Sequence, residues 1–126
     1  MPTKRFQDLQ VYQLSENLAD EIWQIVNTWK PLAQDTVGKQ IVRSADSIGA
    51  NIAEGVGRGS YQENKRFVKI ARGSLNETQH WLRRAYKRQL LTLEQTQSIK
   101  TIINELAPKL NSYLKSIGNI SQTNNK

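Results

Sequence analysis

Apolar residues recur along this chain at spacings of three and four in four separate blocks, and nowhere do they alternate as in a half-buried strand. In the first block Val11, Leu14, Leu18, Ile22, Ile25 and Trp29 share one helical face; Asp8 is placed to cap a helix running to about Thr28. In the second, Val37, Ile41, Ala45, Ile48 and Ile52 predict a helix capped by Asp35 and closed by Gly55, Gly57 and Gly59. The third opens at Ser60, which with Glu63 spells a capping box, and runs to about Arg88. Phe67, Ala71, Ser74, Leu75, Thr78, Leu82 and Ala85 face inward there, and Gly73 is its weak point. The fourth starts at a second box, Thr92 with Gln95, and packs through Ile99, Ile102, Ile103, Leu106, Leu110, Tyr113, Leu114 and Ile117 before Gly118. Pro108 lies inside that pattern and predicts a kink or break near Ala107. Four amphipathic helices with short connections read as an all-α, antiparallel up-down-up-down four-helix bundle. One domain spans residues 1–118, with a short arm at 1–7 and a polar, disordered tail at 119–126.

Two features exceed what a bundle core requires. The first helix carries a second apolar strip, Tyr12, Ala19, Trp23 and Val26, displaced about a quarter turn from the first. It is either a wide core face or a subunit contact, for which Tyr12, Trp23 and Val26 are the candidates. The second helix carries a polar ladder, Gln40, Arg43, Ser47, Asn51, Glu54 and Arg58, beside its apolar face. Asn51 and Glu54 border the core, where unpaired polar groups are costly. A structural network of Arg43, Asn51 and Glu54 is the expectation, with Arg43 or Arg58 pairing Glu54; a ligand site is the alternative. The small flanking residues Ser44, Ala45, Gly49, Ala50 and Ala53 let a neighbouring helix approach closely.

Charge changes the picture. The chain of 126 residues has a net charge of +7, and residues 58–88 alone, with nine Lys/Arg against two Asp/Glu, carry +7. Residues 1–57 carry −2 and residues 89–126 carry +2. On the third helix Lys65, Lys69, Arg72, Arg83 and Lys87 lie opposite the core face, with Arg66 and Arg84 flanking. Like charges at Lys65/Lys69 and Arg83/Lys87 destabilise an isolated helix, and a solvated face more often mixes signs. The strip is read as a polyanion-binding face, nucleic acid first, against the alternative of a basic face that serves solubility. Arg58 and the open N–H groups at the start of the third helix could add one backbone phosphate.

Catalytic chemistry finds little support. There is no cysteine, which excludes disulfides and thiolate sites and fits a reducing cytoplasm. The lone histidine, His80, sits on a polar side with nothing to complete a triad or metal cluster. Asp46 and Glu54 lie on different sides of their helix, so no carboxylate pair is indicated. The run E-G-V-G-R-G-S follows a helix rather than a strand and lacks the G-K-[ST] ending of a nucleotide loop; it is a helix C-cap and turn. No cofactor is expected. Met1 to Gln10 lacks the apolar segment of a signal peptide and no run is long enough to span a membrane, so the expectation is a cytoplasmic protein without a membrane partner.

The segment R-S-A-D-S-I-G-A-N-I-A-E-G-V-G-R-G-S at Arg43–Ser60 resembles the signature of the bacterial four-helix-bundle proteins named for 23S rRNA intervening sequences. F-Q-D-L-Q-V-Y-Q-L-S at Phe6–Ser15 and F-V-K-I-A-R-G-S-L-N-E at Phe67–Glu77 are similar to that family's opening and third-helix motifs. The resemblance implies a bundle without established catalysis. It also implies likeness to the accessory subunits of diversity-generating retroelements, basic homopentamers that bind nucleic acid and a reverse transcriptase. Taken together, the expectation is a non-catalytic, homo-oligomeric bundle that holds phosphates of RNA or DNA through Arg58, Lys65, Arg66, Lys69, Arg72, Arg83, Arg84 and Lys87, with little sequence preference. The alternative is a scaffold subunit for a larger nucleic-acid enzyme such as a reverse transcriptase.

Overall fold

The computed structural model describes residues 5–118. The expected disordered tail and the first four residues of the arm lie outside them. Helix α1 is Gln10–Val26. Helix α2 comprises Pro31–Ala33, a π-helical stretch Gln34–Gly38, and Lys39–Val56 in unbroken succession. Helix α3 is Tyr61–Lys87 and helix α4 is Leu93–Ser116. Among the described residues there is no strand, and no helix is long and apolar enough to cross a membrane. Each helix packs on its neighbours in sequence and α4 closes on α1, with the α2–α3 contact the most extensive and α3–α4 the least. Connections of four or five residues force neighbouring helices antiparallel, giving the up-down-up-down bundle.

The core follows the periodicity. Leu18, Ile22, Ile41, Ile48, Ile52, Leu106 and Leu110 are fully buried, joined by Ala71, Leu75 and Ala85 from α3. Val68, which the pattern left out, is also fully buried, so the inner face of α3 is one residue wider than its strict spacing. Trp29 lies half-buried at the rim of the same cluster.

Helix starts differ from expectation wherever burial competes with a side-chain cap. Asp8 does not cap α1: it ends a 3-10 turn, Phe6–Asp8, and Leu9 occupies the cap position without a side-chain hydrogen bond. Leu9 is buried against the core, and its transfer out of water outweighs the lost cap bond. Asp35 does not cap α2 either, because the helix begins four residues earlier. Pro31 presets the first-turn φ and its missing N–H costs nothing there. Gln34 Nε2 donates to the Val26 carbonyl at 3.1 Å, tying the new helix to the end of α1. The π stretch follows where Thr36 Oγ1 donates to the Leu32 carbonyl at 2.7 Å, competing with the backbone for that acceptor. It brings Gly38 so close to α1 that a Cβ would lie 2.8 Å from Val26 Cγ1.

At the other end of the bundle Ser60 caps α3, accepting from the Glu63 N–H at 3.2 Å, but the box is half made because the Glu63 carboxylate turns to Arg66. The box of Thr92 and Gln95 is complete, both bonds being 3.0 Å. The expected break near Ala107 is absent, and α4 runs through Pro108 to Ser116. Pro108 and Asn104 are both exposed, so the Asn104 carbonyl that loses its N–H partner has water available.

Two glycines give a paired test. A Cβ on Gly55 would sit 3.1 Å from Phe67 Cβ and 3.2 Å from the Asn64 carbonyl, whereas one on Gly73 would meet nothing within 4 Å. Gly55→Ala is expected to lower stability by about 1–3 kcal/mol. Gly73→Ala is expected to raise it by about 0.5–1 kcal/mol, both read from urea denaturation midpoints.

Candidate nucleic-acid interface

Spacing alone places Lys65, Lys69, Arg72, Arg83 and Lys87 along one edge of α3, turned away from Ala71, Leu75 and Thr78 in the core. The structure adds which of the eight predicted cations are already engaged. Arg58 approaches Glu54 at 3.6 Å and Arg66 pairs with Glu63 at 2.9 Å. The same two guanidinium groups lie over the Phe67 ring, 4.9 and 4.4 Å from its centre. The bond to Arg66 holds the Glu63 carboxyl below its usual range and raises Arg66 in turn. Arg58 and Arg66 therefore form a local clamp around Phe67 at the α2–α3 turn. Exposed pairs of this kind add little stability, but each shares its charge with a carboxylate.

Among the described residues none of the other six pairs with an acid. Arg72 Nη1 donates to Asn111 Oδ1 across to α4 at 3.4 Å, and Arg84 is half-buried on the opposite flank. Glu77, the one acid in the middle of α3, accepts from Trp81 Nε1 at 3.2 Å and joins no ion pair among the described residues. The remaining strip thus keeps its full positive charge over a helix of 27 residues, roughly 40 Å long.

The polar ladder is arranged otherwise than expected. Glu54 pairs with Arg58 as one of its two anticipated partners, on an exposed surface, while Arg43 is exposed and joins no ion pair among the described residues. Asn51 Nδ2 donates to the Ser47 carbonyl and hydroxyl at 2.8 and 3.0 Å. Ser47 Oγ accepts from Ser74 Oγ at 3.1 Å, and Thr78 Oγ1 lies 3.0 Å from Ser44 Oγ. The interhelical network is therefore built from hydroxyls, with Asn51 at its edge and without Arg43 or Glu54. Its signal in the sequence is the recurrence of Ser44, Ser47, Ser74 and Thr78 on facing helical stripes.

The second strip of α1 divides. Val26 is buried in the core beside Gly38. Tyr12 is half-buried, packed edge-on to Phe6 at 4.9 Å and next to Gly49. Partial burial, with Glu16 and Asp20 nearby, pushes its hydroxyl pKa up. Trp23 alone stands clear of the bundle, 57% exposed. Asp46 on α2 is also raised, by desolvation first and then by Asp20 across the helix pair, so this side of the bundle is acidic where α3 is basic. His80 is exposed and stacks edge-on to Trp81, and no group of three or more His, Asp or Glu residues among those described could hold a metal ion. A groove between α3 and α4 brings Tyr86 and Lys100 beside Arg83; the spacing argument, confined to one helix at a time, missed both.

The model of the 23S rRNA-intervening sequence proteins matches residues 7–112. The chain belongs to that family. It is similar to a crystal structure from Bacteroides thetaiotaomicron of a protein of unknown function from the S23 ribosomal protein family, at 34% identity and a TM-score of 0.72, over 84% of this chain and 96% of that one. No curated protein matches the chain. The matched region includes the Arg43–Ser60 segment, which in this member of the 23S rRNA-intervening sequence family supplies both the close approach to α3 and the turn that carries Arg58.

The hydroxyl network is expected to be structural. Thr78→Val keeps shape and removes one hydroxyl from a fully buried site, leaving Ser44 with only the Ile41 carbonyl. It should cost about 0.5–1.5 kcal/mol, read from the denaturation midpoint.

Proposed function

We propose that this member of the 23S rRNA-intervening sequence family is a non-catalytic nucleic-acid-binding bundle that contacts the phosphate backbone through α3. The observation that carries the reading is the strip Lys65, Lys69, Arg72, Arg83 and Lys87: five cations on one helix edge, none paired with a carboxylate among the described residues. Arg84 extends it on the flank, while Arg58 and Arg66, already shared with acids, contribute less. Phosphate contacts position a ligand without reading bases, so little sequence preference is expected. The family description and the ribosomal-protein family of the solved relative make RNA the first ligand to test.

Each cation that neutralises a phosphate releases condensed counterion, so affinity falls with salt at a log–log slope of about −0.9 per contact on duplex DNA and −0.7 on single strands. Changing Lys65, Lys69, Arg83 and Lys87 together to Gln leaves the packing face intact and relieves two like-charge pairs. The slope should flatten by roughly 3–4 per protomer engaged. Unchanged affinity and slope, or no binding by the wild type at low salt, would make the strip a solvated surface.

A second reading, a scaffold that assembles with itself or holds a larger enzyme such as a reverse transcriptase, is favoured by a different observation. Trp23 and Leu32, 57% and 78% exposed, stand near the α1–α2 turn, remote in sequence from the basic strip. An exposed tryptophan such as Trp23 is a typical anchor of protein contacts, and Leu32 adds apolar surface beside the same turn. Self-association through Tyr12 and Trp23 predicts a wild type heavier than one protomer by light scattering and a lighter Trp23→Glu variant. A monomeric wild type, or a variant of unchanged mass, would remove the self-association reading.

A further inference from the structure

Helices α3 and α4 leave between them a groove of about 550 Å³, within the roughly 300–1,000 Å³ of small-ligand clefts. Its lining includes the more buried Leu82, Ile99 and Ile103 and the exposed Tyr86 and Leu93, 54% and 69% accessible. Arg83 and Lys100 flank it from opposite helices, and no carboxylate lines it. The depression of similar size between α1 and α4 is lined by Asp20 and Glu21, so the two differ in the charge of the ligand each would accept. Among the described residues Tyr86 makes no side-chain hydrogen bond and no ring contact, and more than half of it is exposed.

A partly apolar slot with an aromatic beside it and a cation from each helix suits a flat, π-bearing group on an anionic backbone. We infer that the groove takes an unpaired nucleotide of a single-stranded nucleic acid, with the base stacked on Tyr86 against the apolar lining and its flanking phosphates on Arg83 and Lys100. Every base has a π face, so such a site is tolerant of sequence. A duplex keeps its bases stacked inside and cannot enter, so the groove separates single strands from duplexes while the strip on α3 attracts both. The inference rests on the proposed phosphate contact by α3, with which it shares Arg83.

The test uses the full chain with single-stranded RNA and DNA oligonucleotides and their duplexes, by fluorescence anisotropy over a salt series, and with 2-aminopurine in the single strands to report stacking. Tyr86→Ala should weaken single-strand binding about 5- to 150-fold, the range for loss of one base–aromatic stack, without changing the salt slope. It should abolish the 2-aminopurine quench and leave duplex affinity alone; Tyr86→Phe should behave as wild type. Lys100→Gln should reduce the slope by about 0.7 on single strands only. Tyr86 is on the surface, so the fold is expected to survive each change, and circular dichroism checks that it does. Unchanged single-strand affinity and an unquenched probe in wild type overturn the inference and leave the groove to an apolar helix of a protein partner. A parallel loss on duplexes overturns it as well. If single strands lose affinity with Tyr86→Ala while the quadruple Gln variant keeps its duplex slope, the groove stands and the strip reading falls. If wild type binds neither form, both fall together.

Discussion

The closeness of α2 to α3 is the constraint on which the rest of the molecule depends. Gly55 has no room for a side chain beside Asn64 and Phe67, and Ser44, Ser47, Ser74 and Thr78 meet as hydroxyls rather than as bulky apolar groups. Small residues allow the approach, and the hydroxyl contacts satisfy polar groups that the approach would otherwise leave unpaired. Register follows from this. Gly55 meets Phe67, Ser47 meets Ser74 and Ser44 meets Thr78, a regular antiparallel pairing that sets where every other residue of α3 points. With Thr78 and Ala71 committed inward, the lysines and arginines have only the outer edge left.

The tight seam on one side of α3 has a looser one on the other. Where α3 meets α4 a long hydrogen bond joins Arg72 to Asn111, and toward the α3–α4 turn a groove opens beside Tyr86. One helix is thus fixed firmly on its α2 side and left open on its α4 side, with its unpaired cations along the open edge. The side of the bundle that carries Asp20 and Asp46 is acidic, so the positive charge of the molecule is confined to the α3 side.

The four helices, their inward faces and the glycine-rich exit of the second were legible because a helical stripe is a local property: Leu18, Ile22, Ile48 and Leu106 are buried wherever their helix packs. Caps were legible only where nothing competed. Thr92 and Gln95 sit on an exposed turn and form their full box. Asp8 and Asp35 lost the same role to a buried leucine and to a proline, whose effects on the backbone are stronger than one side-chain bond. The break expected at Pro108 did not form for the converse reason, since the carbonyl it leaves unpaired is at the surface.

By itself the sequence determined that the chain is a helical bundle and that its positive charge is concentrated on the edge of α3, because helical period and charge count are carried by each segment alone. Only the tertiary structure decided which of those charges remain unpaired, that Val26 belongs to the core, that the polar network is made of hydroxyls, and that Tyr86 shares a groove with Lys100. The physical reason is the same in each case. Pairing, burial and concavity are relations between two helices, and a relation between helices depends on the distance and register at which they pack.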